Sequence, residues 1–209
     1  MAESAAPIVY QLRVVLSGIS PLIWCRLLVR ADSTIAELHH TLQIALGWTD
    51  SQLHRLLIHG KAYGVARVGG LSFADDPTQI RLASFAFRPR ERFAYHYDSG
   101  ADWQHDIRVE QILPRDPVRT YPVCIGGGRA APPEDYGGPW AYLDLRHHHS
   151  VFAIAERLQE ILDDGTIGDD REEARELLRW LVADRFDRRR VNRRLRQYAA
   201  GDDRWWSDA

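Results

Sequence analysis

Two runs of alternating character open the chain and limit what it can fold into. YQLRVVLS (10–17) turns Tyr10, Leu12, Val14 and Leu16 to one side, and IWCRLLVR (23–30) does the same with Ile23, Cys25, Leu27 and Val29. Alternation with a period of two marks a strand with one buried face. GISP (18–21) supplies the turn between them. On this pattern Cys25 reads as a small buried hydrophobe. The next stretch, ADSTIAELHHTLQIALGW, changes period and predicts a helix. Thr34 and Glu37 form a capping box that satisfies two orphan backbone donors. Ile35, Leu38, Leu42 and Ala45 share a stripe, and Gly47 can end the helix in the left-handed conformation. His39 and His40 lie off the stripe and are expected in solvent.

Further along, QLHRLLIHG reads as a third strand, GKAYG as a turn, and residues 64–80 as a surface loop. QIRLASFAF holds a helical turn. RERFAYHYD and DWQHDIRVEQI read as paired strands, with Phe93, Tyr95 and Tyr97 on one face of the first and Trp103, His105, Ile107 and Val109 on one face of the second. Residues 114–140 are rich in Pro and Gly and read as extended and turn-laden. After residue 142 the period becomes helical. Val151, Ile154, Ala155, Leu158 and Ile161 form one stripe, and Ala174, Leu177, Leu178 and Leu181 a second. Val191, Leu195 and Tyr198 form a third, with Asp187 as its N-cap. Strands first and helices last predict an α+β protein. The element order predicts a β-grasp-like (ubiquitin-type) mixed sheet packed on a helix, with an extra β-hairpin and a C-terminal helical appendage. The expected organisation is a core domain over 8–145, a helical region over 146–200, and tails at 1–7 and 201–209.

Composition narrows the class. The 209 residues are 45% hydrophobic and carry a net charge of -2, which excludes global disorder and gives no bulk preference for nucleic acid or membrane. Two cysteines, Cys25 and Cys124, are too few for a disulfide framework or a cysteine-built zinc site. MAESAAPIVY lacks the basic start and apolar run of a signal peptide, and no apolar stretch is long enough to span a bilayer. A cytoplasmic protein with no membrane partner is expected.

Three stretches together carry a resemblance: GISPLIWCRLLVRADSTIAELHHTLQIALGWTDSQLHRLLI, FAYHYDSGADWQHDI and YPVCIGGGRAAPPEDYGGPWAY. In this order they resemble the Ri-plasmid open-reading-frame-3-like family, a bacterial family carried on plasmids and insertion elements, some of whose members bear a transposon-resolvase label. The resemblance covers residues 8–145, and FDRRRVNRRL more weakly. Ser99 and Ala101 stand where relatives carry an aromatic and an acid, and Tyr136 stands where they carry a cysteine. Any paired-cysteine chemistry of the family is therefore closed to Cys124 here. The resemblance implies no assigned activity. Resolvase chemistry needs a nucleophilic serine backed by arginines; Ser17, near Tyr10 and Arg13, ends a hairpin strand instead.

Several groups of residues are candidates for chemistry. In YDSGADWQHDI (97–107), Asp98, Asp102 and His105 could offer three metal ligands if the hairpin curls, whereas Asp and Gly are also what a tight turn requires. His105 falls on the apolar face, with Asp98 or Asp102 as its expected partner. In RAAPPEDYGGPW, Glu134 and Asp135 sit on a stiffened loop, suited either to acid/base work or to docking the loop by capping amides. GGGR (126–129) lacks the context of a phosphate loop, and the adjacent histidines of RHHHS (146–150) cannot converge on one ion. Arg188, Arg189, Arg190, Arg193, Arg194 and Arg196 would make a basic band on a helix, although residues 169–209 hold eleven arginines against ten acids. Trp205 and Trp206 could stack on bases or fold back as an anchor.

The resulting expectation is a non-catalytic binding or adaptor protein of mobile-element origin, with a protein or nucleic-acid ligand. No cofactor or metal is assigned. Two alternatives stand beside it: a metal-dependent hydrolase using Asp98, Asp102, His105, Glu134 and Asp135, and a DNA-binding accessory factor acting through the C-terminal arginines.

Overall fold

The alternating runs become the middle of one sheet. The computed structural model describes residues 7–65, 73–163, 171–183, 185–202 and 205, so most of both expected tails, Trp206 included, lies outside the described residues. In chain order the elements are β1 (Ile8–Leu16), β2 (Ile23–Arg30), α1 (Ile35–Leu46), β3 (His54–Ile58), β4 (Lys61–Tyr63), a 3-10 turn (Leu82–Phe85), β5 (Arg92–Tyr97), β6 (Trp103–Pro114), β7 (Val123–Gly128), α2 (Pro139–His148), α3 (Val151–Asp163), α4 (Arg171–Ala183) and α5 (Arg188–Ala199). The seven strands are ordered β4-β3-β5-β6-β1-β2-β7.

One face of the sheet is the core. The predicted inward sets of β1, β2, β5 and β6 are all buried there. α1 covers them through Ile35, Leu38, Leu42 and Ala45, with both halves of the capping box formed and Gly47 at φ 82° closing the helix. The opposite face is more polar, as an antiparallel sheet allows. There the Arg13 and Arg26 guanidiniums sit 5.3 and 5.2 Å from the Trp24 ring centroid. Between β1 and β6 the register passes from Gln11↔Gln111 to Leu12↔Val109, leaving Glu110 as a bulge. Its carboxylate accepts from Arg26 Nη2 at 2.9 Å and Gln11 Nε2 at 2.7 Å.

The α+β class stands, but the sheet is not mixed: all six strand pairings are antiparallel. A period of two assigns side chains to faces; it carries no information on which strands become neighbours or on their direction. The ubiquitin-type layout is accordingly not confirmed. GKAYG is also more than a turn. His59 (φ 51°) and Gly60 (φ 77°) make a tight left-handed turn, and Lys61–Tyr63 pair back on β3. Within 114–140, where the sequence predicts irregular chain, lie β7 and the start of α2. A Cβ on Gly127 would stand 2.2 Å from the Phe186 ring, and one on Gly128 2.7 Å from Trp24 Nε1. These glycines open the sheet to two aromatic rings, and without side chains they leave no alternation to read.

The C-terminal helices do not form a simple appendage. α5 packs on β7 and α1, with Asp187 capping it through Arg189 N and Arg190 N. Asn192 joins it to the sheet edge, its Oδ1 accepting from Cys124 N at 2.7 Å and its Nδ2 donating to Cys124 O at 2.8 Å. Val191, Leu195 and Trp205 enter the main core, so Trp205 folds back as an anchor. Arg194, expected on the basic band, is 2% exposed and donates from Nε to Trp205 O at 3.0 Å; it lies on the α5 face that carries Val191 and Leu195, and that face is covered. α3 and α4 form their own small cluster of Ile154, Ile161 and Leu177. Val151, Leu178 and Leu181 of the predicted stripes stay exposed. Truncation Leu195→Ala is expected to cost about 2–5 kcal/mol in urea denaturation, the usual range for an emptied core leucine; a loss below about 0.5 kcal/mol, the range of ordinary surface changes, would mean that α5 is dispensable to the core.

Candidate functional site

The sheet's aromatic residues leave polar atoms that must be satisfied inside. Trp48, Tyr97, Trp103 and His105 pack together under α1: the Trp48 ring stacks on Tyr97 at 4.9 Å and meets His105 edge-on at 5.2 Å. Two indole N–H groups are thereby buried, and each needs an acceptor. The loop after β7 supplies both. Trp48 Nε1 donates to Pro132 O at 2.8 Å, and Trp103 Nε1 donates to Glu134 O at 3.0 Å. The Glu134 carboxylate completes the dock, accepting from Thr49 N at 3.0 Å and from the hydroxyls of Thr49 and Tyr97. Burial first, and the Glu134 carboxylate second, push the Tyr97 phenol well above its ordinary pKa, so it stays a donor. Asp135 is exposed beside it.

The turn of YDSGADWQHDI lies against the same loop. A Cβ on Gly138 (φ 97°) would stand 2.0 Å from Ala101 O, so only glycine fits this approach. Asp98 (φ 56°) and Asp102 (φ 53°) both hold left-handed backbone. Asp98 Oδ1 accepts from Gly100 N at 2.9 Å and Ala101 N at 3.3 Å; Asp102 Oδ2 accepts from Gln104 Nε2 at 2.7 Å. His105 points into the core, and its partner is neither aspartate: Nδ1 donates to Tyr95 O at 3.3 Å. Its Nε2 is buried with no hydrogen-bond partner among the described residues. The hairpin and the PPED loop therefore meet, through Trp103, Tyr97 and Gly138, but Asp98, Asp102, His105, Glu134 and Asp135 do not gather as one ligand set.

A different set does gather. Among the described residues, the one group of three or more His, Cys, Asp or Glu whose ligand atoms all lie within 4.8 Å of one another is His39, Asp50 and His54. His39, expected in solvent, is 1% exposed. Its helix is covered on more than one side, so a residue off the main stripe is still enclosed by β3 and β5. Its Nε2 is 2.8 Å from Asp50 Oδ1 and its Nδ1 is 2.9 Å from Tyr95 OH. His54 stacks on it, ring centroids 3.4 Å apart at 8°. Gln43 ties the group together: its Nε2 donates to Tyr95 OH at 2.7 Å and its Oε1 accepts from Asp50 N at 3.0 Å. The sequence signal for this group is HHTLQ followed by the polar TDSQLH, but helical spacing alone places His39 outside the core stripe.

The exposed arginines of α5 are Arg188, Arg189, Arg190, Arg193 and Arg196; Arg188 Nη1 also donates to Ile125 O at 3.1 Å.

His105 sets a pH dependence. Burial pushes its imidazole from the ordinary 6.5 down to about 3, against a smaller opposing effect of the Tyr95 carbonyl. Between these values the unfolded chain takes up a proton that the folded chain does not, so the His105 contribution to stability is complete above pH 6.5 and declines towards pH 3. The variant His105→Phe should show a shallower loss of urea midpoint than the parent as pH falls from 6.5 towards 3; parallel curves would mean that His105 is not held neutral.

The chain is similar to two proteins without an assigned role. It is 30% identical over 141 residues to the uncharacterized protein y4hQ of Sinorhizobium fredii (strain NBRC 101917 / NGR234), covering 66% of this chain and 71% of that protein. It also matches the crystal structure of MM3350, a protein of unknown function from Methanosarcina mazei Go1, with a TM-score of 0.66 and 30% identity over 90% of this chain and 99% of the other. No helix among the described residues is long and apolar enough to cross a membrane. The model of the plasmid pRiA4b ORF-3-like proteins matches residues 8–195, and the chain belongs to that family.

Proposed function

We propose that the chain is a non-catalytic binding protein of mobile-element origin, acting in the cytoplasm, whose ligand is another protein held by α2, α3 and α4. One observation carries the reading. Of ten large apolar side chains exposed among the described residues, seven (Trp140, Leu145, Val151, Phe152, Leu162, Leu178 and Leu181) belong to these three helices. Trp140 and Phe152 are 84% and 87% exposed. Val151 and Leu181 line a common depression of about 450 Å³. Exposed apolar side chains concentrated on three successive helices favour a protein interface, because such residues scattered singly over a surface are ordinary. The hydrolase alternative draws less support. Asp98 is engaged by turn amides, Asp102 by Gln104, and Glu134 by Thr49 and Tyr97.

A photo-crosslinking residue placed at 140 or 152, in the full chain in its native host, should give a discrete protein adduct that Leu181→Asp removes. The same residue at Val118, 92% exposed on the loop between β6 and β7, serves as the control. No adduct above that control would remove the reading, and adducts only to further copies of this chain would replace the partner by self-association.

A second reading rests on α5. Arg189, Arg193 and Arg196 fall at i, i+4 and i+7 on one helical face and are exposed, the arrangement that lies along phosphates. If the chain binds duplex DNA, affinity should fall steeply with salt. Changing all three to Ala should flatten the log–log slope by about 0.9 for each phosphate that is no longer neutralised. Equal slopes for parent and variant would count against this face.

A further inference from the structure

The polar face of the sheet carries an inference that rests neither on the α2–α4 helices nor on the arginines of α5. Strand register lines up one arginine from each of four neighbouring strands. Arg92 on β5 stands opposite Arg108 on β6, Arg108 opposite Arg13 on β1, and Arg13 opposite Arg26 on β2. The alternation that buries their strand neighbours turns all four to the polar face, Arg92 exposed and the others half-buried. Like charges directly opposite one another destabilise a sheet, so the row costs stability unless anions sit on it. The chain supplies two, both at the ends of the row. Glu110 accepts from Arg26 Nη2 at 2.9 Å, and Asp106 pairs with Arg92. The charge of Arg13 also reaches Glu110, but it is the least of the influences on that carboxyl. The inner two, Arg13 and Arg108, make no ion pair among the described residues, and the buried Nε of each has no hydrogen-bond partner there. Two surplus cations thus stand side by side, about 5 Å apart at their Cβ atoms.

An aromatic ring adjoins the row. Trp24 lies with its centroid 5.3 Å from the Arg13 guanidinium and 5.2 Å from that of Arg26. Its ring reaches along two glycines of β7: a Cβ would stand 2.7 Å from Nε1 at Gly128 and 3.8 Å from Cη2 at Gly126. The indole therefore lies against bare backbone and stays only half-buried. Guanidiniums suit phosphates through their forked donors, and a row across four strands extends about 14 Å at the ~4.8 Å separation of neighbouring strands. That length fits successive phosphates better than a single anion. The indole offers a surface for an unstacked base. A duplex keeps its bases inside, and an acidic peptide has none. We infer that this face binds single-stranded RNA or DNA, its phosphodiester backbone running across Arg92, Arg108, Arg13 and Arg26 and one base stacking on Trp24.

The test is fluorescence anisotropy of the full chain with labelled oligothymidylate and oligouridylate over a range of salt. Binding of either strand is expected, and the tighter one names the sugar. Arg13→Gln/Arg108→Gln should weaken binding and flatten the log–log salt slope by about 0.7 for each phosphate no longer neutralised, about 1.4 for the pair. Trp24→Ala should weaken binding about fivefold or more, the loss expected for one stacked base, and leave the slope unchanged. Circular dichroism reports whether each variant is folded. An iodouracil-bearing strand, cross-linked by light to the parent chain, should attach to the β2 peptide that holds Trp24, and this decides alone if the variants unfold. The Arg189→Ala/Arg193→Ala/Arg196→Ala variant separates the two surfaces: if it alone loses binding, the nucleic acid belongs to α5 and the inference falls. No binding of either strand at low salt would overturn it, as would an unchanged slope in the double variant. Cross-links confined to the helices, or equal affinity for a duplex or for polyglutamate, would overturn it too.

Discussion

Two indole N–H groups buried in an aromatic core set the terms for the rest of the molecule. Trp48, two residues past the end of α1, and Trp103 at the start of β6 are both buried, and neither indole donates to the sheet or to α1. The segment 130–136 comes to them instead, so the polypeptide after β7 runs back over the core. That return brings the Pro132 and Glu134 carbonyls onto the indoles. It also brings the Glu134 side chain to Thr49, next to Asp50. The loop thus docks on the interior through Pro132 and Glu134 while Pro133 and Asp135 stay exposed, and Gly138 beyond it touches the turn at 98–102.

The same logic of enclosure explains why the interior contains so much polarity. The inward row of β5 and β6 is Phe93, Tyr95, Tyr97, Trp103, His105, Ile107 and Val109, with four amphipathic side chains among the seven. Each hydroxyl and ring nitrogen demands a partner. His39 and Gln43 answer Tyr95, and Asp50 in turn answers His39. Glu134 and the Gln52 amide surround Tyr97. The helices α3 and α4 have a small core of their own and turn Leu178 and Leu181 outward.

Much of this is legible in the sequence, for reasons that can be stated residue by residue. β1, β2, β5 and β6 announce themselves because alternation records a buried face. α1 does so because Thr34, Glu37 and Gly47 mark both ends chemically. The inward placement of His105 follows from its parity with Trp103 and Ile107. Strand direction is not legible, since parity is blind to it, and the expected mixed sheet is wrong for that reason. β7 is hidden because Gly127 and Gly128 make room for Phe186 and Trp24, residues distant in sequence. His39 is misplaced by helical spacing because its burial depends on β3 and β5 closing over the flank of the helix. Arg194 is misplaced because a run of arginines masks the one that sits beside Leu195. The roles of Glu134 and Gly138 are contacts across the chain, which no local pattern records.

The junction between α5 and β7 has a further consequence. A sheet that ends in an open strand invites another strand to add to it. Here Asn192 occupies both the amide and the carbonyl of Cys124, so a single side chain imitates the next strand in the ladder. At the other end, β4 is only three residues long and begins with Lys61 paired to Asp75. Both margins of the sheet are in this way unsuited to strand exchange. An added strand would have to displace Asn192 at one margin and extend a three-residue strand at the other, so the sheet is guarded against polymerising through its own edges.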